Sequence, residues 1–289
     1  MKTYVKEFAG EWIGTYLMVL FGCGAVAVSV LFKQYDSILQ IAAVWGIAVT
    51  IAIYATGDLC CAHFNPAVSL AMTVTGRMSP RKLPAYLTAQ FTGAFAAALS
   101  LYGLFGSNIA IFEKENHLIR GTAGSALSAK MFGEYYQNLS GASQPVSMPL
   151  AMAAEALGTF ILVFMIFALT EGCNTKRPQH NTAPIFIGMT LAMVICLLAP
   201  LTQAGFNPAR DFAPRMAAFL LGWGEAAFPD HSGGFFFVYM LSPVIGGIAA
   251  GLVFEKVIRK LMEKQGEDDC CCKKEQEKEG EKSWEQICY

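Results

Sequence analysis

Six apolar stretches of the chain are each long enough to cross a lipid bilayer, and no other feature constrains the fold as strongly. A helix needs about 20 apolar residues to span a hydrocarbon core of ~30 Å. The first stretch is too long for a signal peptide and no small-residue cleavage site follows it, so we expect it to be retained. The sequence therefore predicts an all-α membrane protein. Its six spans are residues 8–32, 38–57, 83–112, 146–170, 183–206 and 234–254.

The composition agrees with this prediction. Charged residues make up 15% of the chain, against ~25% in an ordinary soluble domain. They are concentrated after residue 265, so residues 1–265 are predicted to form the membrane domain and 266–289 a disordered cytoplasmic tail. A net charge of −1 without a basic patch argues against nucleic acid as a partner.

Two further apolar stretches, 65–76 and 207–221, are too short to cross a bilayer, and each begins with Asn-Pro-Ala. Asn is a favoured N-cap residue, and proline is tolerated in the first helical turn because an N–H there has no intrahelical partner. Each triplet is therefore predicted to start a half-helix that enters the membrane without crossing it. The two triplets are Asn65-Pro66-Ala67 and Asn207-Pro208-Ala209.

The chain also repeats itself. Each half, about 1–112 and 146–262, holds three spans and one half-helix, and an odd number of crossings inverts the second half relative to the first. The site of an inverted repeat is expected near the bilayer midplane, between the halves. The matching pairs are Glu11 and Glu155, Gly14 and Gly158, Thr15 and Thr159, Tyr86 and Tyr239, Gly93 and Gly246, and Ala97 and Ala250.

Six spans place both termini on one side of the membrane. Basic residues are more numerous on that side, so the positive-inside rule predicts that both termini are cytoplasmic. The loop 113–145 is then external, and we expect it to be partly ordered at best. It contains one glycosylation sequon at Asn138, a pattern that also often arises by chance.

The segments that precede the triplets, 59–64 and 201–206, predict a watery cavity, because non-helical backbone is tolerated in a membrane only where it is satisfied by protein or water. Two half-helix N-termini that meet there contribute about half a positive charge each, and the Asn65 and Asn207 amides contribute donors. Such a site favours a hydrogen-bonding neutral molecule and opposes a cation or a relayed proton.

Together these features resemble the aquaporin and aquaglyceroporin family, the major intrinsic proteins, over about residues 5–262. The resemblance rests on both signature loops and on the arginine that directly follows the second triplet. It implies six transmembrane helices with two re-entrant half-helices, a channel in the lipid bilayer, and a homotetramer with one pore per subunit. The loops are Ala62-His63-Phe64-Asn65-Pro66-Ala67-Val68 and Phe206-Asn207-Pro208-Ala209-Arg210-Asp211.

The resemblance also implies roles for single residues. The six residues of the two triplets match the pore midplane, and Trp45 and Arg210 match two positions of an outer constriction, the selectivity filter. Asp211, Arg215 and Pro243 resemble the branch of the family that conducts glycerol.

The other two filter positions depart from that branch. They fall on Ile195 and Ala204, where a typical glycerol facilitator has a glycine and an aromatic residue, respectively. The set Trp45, Ile195, Ala204 and Arg210 instead resembles the plant nodulin-like intrinsic proteins, which pass glycerol and other small uncharged solutes. The preference for polyols is therefore less firmly implied than the channel itself.

Several residues support this site, and each has an alternative interpretation. Glu11 and Glu155 are expected to accept backbone N–H bonds from the re-entrant segments, with proton transport as the alternative. Trp45 lines the pore or faces lipid. His63 packs with its carbonyl toward the pore, or senses pH.

The cysteines give no disulfide framework, because nine is an odd number and no secretory context is evident. Cys60 and Cys61 are either tolerated small residues or a metal-sensitive or redox-sensitive gate beside the cytoplasmic pore mouth. The run Cys270-Cys271-Cys272 is palmitoylated, binds metal or remains unmodified.

The sequence thus predicts a passive channel for glycerol, water and other small uncharged solutes. The alternatives are a secondary transporter built on an inverted repeat, or a channel mainly for water or for metalloids and urea. A coupled carrier needs ion-binding groups within the membrane, and few are present. No catalytic motif, cofactor site or metal site is predicted, so we do not expect an enzyme.

Overall fold

The computed structural model describes residues 2–136, 146–179, 181–228 and 233–266. Within these ranges the chain is helical without β-strands, and six helical segments are long and apolar enough to cross a membrane. This confirms the predicted fold class. The six segments are Tyr4–Phe32, Ile38–Thr56, Leu83–Glu115, Met148–Thr170, Ala183–Thr202 and Phe236–Glu263.

We number the α-helices in chain order. They are α1 (Lys2–Phe32), α2 (Ile38–Thr56), α3 (Pro66–Val74), α4 (Leu83–Glu115), α5 (Ala126–Ala129), α6 (Met148–Thr170), α7 (Ala183–Thr202), α8 (Pro208–Ala218), α9 (Ser242–Val253) and α10 (Arg259–Gly266). The last span contains α9, the first part of α10 and the π-helical turns Phe236–Leu241 and Phe254–Ile258. Other short helical turns are Ala123–Ser125, Phe219–Trp223 and Gly224–Ala227.

The two predicted half-helices are α3, of 9 residues, and α8, of 11 residues. At 1.5 Å per residue even the longer one covers only about 17 Å, too little to cross the membrane. The Asn65 side chain caps α3 by accepting the Ala67 N–H at 2.9 Å. The Asn207 side chain caps α8 in the same way, through Ala209 at 3.0 Å. The Asn-Pro-Ala triplets therefore start both helices as expected.

Matching helices pack closely in the two halves, α1 against α4 and α6 against α9. A Cβ atom at Gly93 would lie 2.5 Å from the Trp12 carbonyl oxygen, and one at Gly246 would collide with the Ala156 carbonyl oxygen. Backbone therefore approaches backbone at both places, which only glycine permits. This is the close helix packing that the repeated small residues predict.

The first part of the loop that follows α4 is folded. Helix α4 continues to Glu115, and residues 116–136 form turns and the short helix α5. Phe132 and Tyr135 are buried there, so this part of the loop packs onto the helical bundle because it has apolar surface to bury. The sequon at Asn138 and the tail beyond residue 266, with Cys270, Cys271 and Cys272, lie outside the described residues.

Candidate functional site

The two half-helices begin beside each other, and their Asn side chains are crossed. Asn65 Nδ2 donates to the Phe206 carbonyl oxygen at 2.9 Å, and Asn207 Nδ2 donates to the Phe64 carbonyl oxygen at 2.8 Å. An amide NH2 has two N–H donors, so each Asn uses one donor to hold the opposite half and retains a second. Both Asn side chains line one cavity. The structure therefore brings the two triplets together at a single site.

The backbone that leads to each triplet is strained in the same way in both halves. Ala62 and Phe64 have φ values of 49° and 50°, and Ala204 and Phe206 have φ values of 67° and 52°. Non-glycine residues in this left-handed region cost about 1–3 kcal/mol each and persist only where surrounding contacts hold them. The two approaches therefore need strong anchors.

Two buried glutamates provide these anchors. Glu11 accepts the His63 and Phe64 N–H groups at 2.7 and 2.9 Å, and Glu155 accepts the Gly205 and Phe206 N–H groups at 2.9 and 2.7 Å. Bonds from backbone N–H to an ionised carboxylate are among the stronger hydrogen bonds in proteins. Both carboxylates thus hold the re-entrant backbone, in the geometry that their matching places in the repeat predict.

The glycine that follows each glutamate by three residues has a role that sequence reasoning missed. A side chain at Gly14 would collide with the Phe64 ring, and one at Gly158 would collide with the Phe206 ring. In each half, the glutamate of the repeated pattern Glu-x-x-Gly therefore binds the backbone of the approach segment. The glycine leaves space for the aromatic ring of that segment. The repetition itself was the only signal available in the sequence.

All four residues of the predicted constriction, Trp45, Ile195, Ala204 and Arg210, line the same cavity as the Asn pair. The first three also line a second cavity, which they share with Glu134. The constriction residues therefore lie where the two cavities meet. The Arg210 guanidinium carbon lies 4.4 Å from the centre of the Trp45 ring. Trp45 thus lines the cavity, which favours the pore-lining interpretation over the lipid-facing one.

Arg210 carries an unpaired donor in this cavity. Its side chain is only 4% exposed, and Nη1 has no hydrogen-bond partner among the described residues. A buried donor without a partner is costly, which makes it a ready binding point for a polar solute that enters the cavity.

Glu134, in the loop after α5, was not among the predicted site residues. Its carboxylate forms an ion pair with Arg210 Nη2, and both side chains are almost fully buried. The sequence shows an acidic residue in a loop but cannot show that the loop folds back onto the end of the cavity. In the sequence, Glu134 and Arg210 are simply more than seventy positions apart.

Asp211 and Arg215 form a second buried ion pair beside the first. Arg215 Nε and Asp211 Oδ2 are 2.7 Å apart, and neither side chain is more than 1% exposed. Asp211 Oδ1 also accepts the Glu134 N–H at 2.9 Å, and Arg215 donates to the Glu134 carbonyl oxygen. This pair therefore positions the loop residue that contacts Arg210.

A family model described as Major intrinsic protein matches residues 1–254. The chain belongs to the major intrinsic protein family. The glycerol uptake facilitator protein of Escherichia coli K12 is 35% identical over 261 residues, which cover 89% of each chain. Aquaporin-9 of Homo sapiens is 32% identical over 258 residues, covering 89% of this chain and 84% of that protein.

The solved structures agree on the fold. The X-ray structure of the aquaglyceroporin from Plasmodium falciparum matches with a TM-score of 0.77 and 24% identity, covering 90% of this chain and 99% of that one. This major intrinsic protein is therefore a multi-pass membrane protein with the fold that the sequence predicts.

His63 takes part in a polar network beside the half-helix α3. Its Nδ1 lies 3.1 Å from Ser69 Oγ, and Gln90 donates to both Ser69 Oγ and Glu11 at 2.9 and 2.8 Å. His63 also lines the cavity and packs on the Tyr86 ring. The structure thus supports its packing role and leaves the pH-sensing alternative as a hypothesis.

Cys60 and Cys61 do not line the cavity, although the residue that follows them, Ala62, does. The Cys60 thiol is buried and accepts the Ala62 N–H at 3.3 Å. Cys61 is also buried and, like Cys173, is disulfide-bonded, so the expectation of no disulfides from the odd number of cysteines was wrong. The geometry therefore favours Cys60 as a packing residue. Among the described residues no group of three or more His, Cys, Asp or Glu side chains is arranged to hold a metal ion.

Proposed function

We propose that this protein is a passive channel through which glycerol, water and other small uncharged solutes move down their gradients. The observation that carries the proposal is one cavity in which the Asn65 and Asn207 amides and the unpaired Arg210 nitrogen are the main donors within an apolar wall. A molecule with hydroxyl groups on one edge and carbon on the other fits such a wall. Relatives named for glycerol uptake support the same choice of solute.

In this proposal the Asn-Pro-Ala triplets form the pore midplane, and Trp45, Ile195, Ala204 and Arg210 form the selectivity filter. Arg210 donates to the solute, while Trp45 and Ile195 contact its carbon edge. The N-termini of α3 and α8 oppose a cation at the midplane, because each presents about half a positive charge. Neutral solutes meet no such barrier.

The proposal includes the arrangement in the membrane. Both termini face the cytoplasm, so that the Arg210 end of the pore, with Glu134, is external. The family resemblance supports a homotetramer in the cell membrane, with one pore in each subunit. The charged tail 266–289 is then on the cytoplasmic side.

The rival hypothesis is a secondary transporter, since these also use inverted repeats and broken helices. Here both oxygens of each buried carboxylate, Glu11 and Glu155, already accept a backbone N–H, which leaves neither as a free ion-binding group. The geometry therefore favours a channel. A channel mainly for water, urea or metalloids is distinguished only by measured rates.

Stopped-flow light scattering on proteoliposomes tests the proposal. We expect the protein to speed the equilibration of water, glycerol and urea, with rates unchanged when ion gradients are collapsed by ionophores. Accumulation of solute against its gradient in sealed vesicles would overturn the channel assignment.

Two tryptophan variants locate the pathway. Val68→Trp adds bulk to the cavity wall beside Asn65, whereas Leu104→Trp adds the same bulk at an exposed position on α4. We expect the first to block solute flux and the second to leave it unchanged, with size-exclusion profiles as the check on folding. Equal flux through both would place the pathway elsewhere.

A further inference from the structure

The Arg210 side chain meets a buried carboxylate at the point where solutes would pass. Glu134 and Arg210 are ion-paired with side-chain exposures of 5% and 4%. Glu134 also lines the cavity that continues beyond Trp45, Ile195 and Ala204. The filter therefore contains a fixed negative charge next to its fixed positive charge.

Glu134 does not depend on Arg210 for its position. Its N–H donates to Asp211 at 2.9 Å and its carbonyl oxygen accepts from Arg215, while the next residue, Tyr135, donates its N–H to Gln203 Oε1 at 2.8 Å. These contacts hold the backbone on both sides of the residue. A variant that lacks the Arg210 side chain should therefore keep the Glu134 carboxylate at the filter.

We propose that Glu134 is a selectivity-determining residue of the filter, where it is the counter-ion of Arg210. The exclusion of ions then depends on the Glu134–Arg210 pair and not on Arg210 alone. This inference rests on the proposed channel function. It predicts that the loss of Arg210 does more than remove a barrier. The unpaired Glu134 carboxylate would become a site that attracts cations into the pore.

The electrostatic argument follows from the charges around the filter. Arg210 is balanced by Glu134, and Arg215 is balanced by Asp211, so the two pairs together carry no net charge. In a wall of low dielectric constant, an uncompensated charge acts strongly on an ion that passes nearby. Replacing Arg210 by a neutral residue leaves the remaining three residues, Glu134, Asp211 and Arg215, with one net negative charge.

The same carboxylate should make the cation leak depend on external pH. Burial raises the pKa of Glu134 above its ordinary value, and the neighbouring Arg210 opposes this shift. Without Arg210 the opposing effect is lost and the pKa of Glu134 should rise further, so the cation leak should be largest in mildly alkaline solution and should disappear as the pH falls through neutrality. The other charged or titratable groups that act on Glu134 are Asp211 and Arg215 of α8, Lys130 and Tyr135 of the loop, Cys23 of α1 and Tyr239 of the last span.

A double-mutant cycle in proteoliposomes tests the proposal by measuring potassium leak in the parent, R210V, E134Q and R210V/E134Q proteins. We expect R210V to leak at least about tenfold more than the parent, since even a partly screened charge changes an ion's energy by more than 1.4 kcal/mol. Adding E134Q should remove most of that leak, and E134Q alone should not leak. The R210V leak should also fall as external pH is lowered from 8 to 5.

Glu113 provides the matched control. It is a buried glutamate paired with Arg120 at 2.8 Å at the same end of the molecule, but it does not line the cavities that contain the filter. R210V/E113Q should therefore leak as much as R210V. Equal leak through R210V and R210V/E134Q, or an R210V leak that ignores pH, would overturn the role of Glu134.

Glycerol flux through the parent protein is measured in the same vesicles. If the parent protein conducts no glycerol, the channel assignment itself is wrong. If it conducts glycerol but R210V and R210V/E134Q leak equally, only the counter-ion role of Glu134 is wrong. Size-exclusion profiles and thermal unfolding of each variant in detergent identify any that fail to fold. For those, R210A and R210A/E134Q repeat the comparison with a smaller side chain.

Discussion

The two re-entrant segments of this protein share one scaffold but differ in charge. Each approach segment is left-handed at two corresponding residues and anchored by one buried glutamate, and each half-helix is capped by an Asn that bonds across to the other. Three residues after Asn65 stands Val68, whereas three after Asn207 stands Arg210. The residues that repeat thus explain the shared backbone geometry, and the residues that differ between the halves explain the difference in charge.

The contrast continues at the next positions. Ser69 in the first half corresponds to Asp211 in the second, and Thr73 corresponds to Arg215. Ser69 bonds to the uncharged side chains of His63 and Gln90, while Asp211 and Arg215 form a buried ion pair that fixes the Glu134 loop. The helix α8 therefore brings charged side chains to positions where α3 has uncharged ones.

The largest expected effect on stability comes from removing the buried glutamate that anchors the approach segment in each half. Glu11→Ala and Glu155→Ala each leave two buried backbone N–H groups without an acceptor, at about 1–3 kcal/mol per group. We expect each to lower the free energy of unfolding by about 2–6 kcal/mol, to a similar extent in both halves. Thermal or denaturant unfolding in detergent measures this. The exposed Glu115→Ala serves as control, and a loss confined to one half would contradict the shared role.

The next effect distinguishes the halves. Asp211→Asn leaves Arg215 as a buried cation with a weakened partner, which should cost about 3–5 kcal/mol of unfolding free energy. Ser69→Ala, at the matching position, removes neutral hydrogen bonds and should cost nearer 1 kcal/mol. The same unfolding measurement compares them. Equal losses would mean that the ion pair contributes no more than the neutral network.

A smaller effect concerns the helix contacts. Gly93→Ala and Gly246→Ala force a methyl group against a carbonyl oxygen of the neighbouring helix, which should cost about 1–3 kcal/mol in unfolding free energy. Gly103, on the same helix as Gly93, has open space around it, so Gly103→Ala should be neutral or stabilising. Destabilisation by Gly103→Ala as large as by the other two would indicate that packing is not the cause.

The smallest expected effect is on solute ranking. Ala204→Phe combined with Ile195→Gly should restore an aromatic wall opposite Arg210 and favour glycerol over urea by about 1 kcal/mol, or roughly fivefold. Stopped-flow rates for both solutes give the ratio. Ala62→Phe, the matching change in the first half, should alter total flux but not the ratio. If the double variant conducts well with the parent's ratio, position 204 does not set selectivity.

Much of the fold was predictable because its signals are local. Apolar length identifies the spans, and Asn-Pro-Ala identifies the starts of α3 and α8. The anchoring role of Glu11 and Glu155 followed from the repeat, because a charge kept at matching places in two apolar helices needs a shared reason. The crossed bonds from Asn65 and Asn207 were not predictable, since the periodicity of each half says nothing about which atoms meet.

The sequence by itself determined the class of protein and the inverted repeat, and its resemblance to the family singled out Trp45, Ile195, Ala204 and Arg210, which line one cavity. Only the tertiary structure decided what surrounds Arg210. Glu134 lies in a loop without periodicity or motif, and its burial depends on contacts with Asp211, Arg215 and Gln203 from distant parts of the chain. Local patterns encode helices and caps, whereas the pairing of buried charges depends on how distant segments pack together.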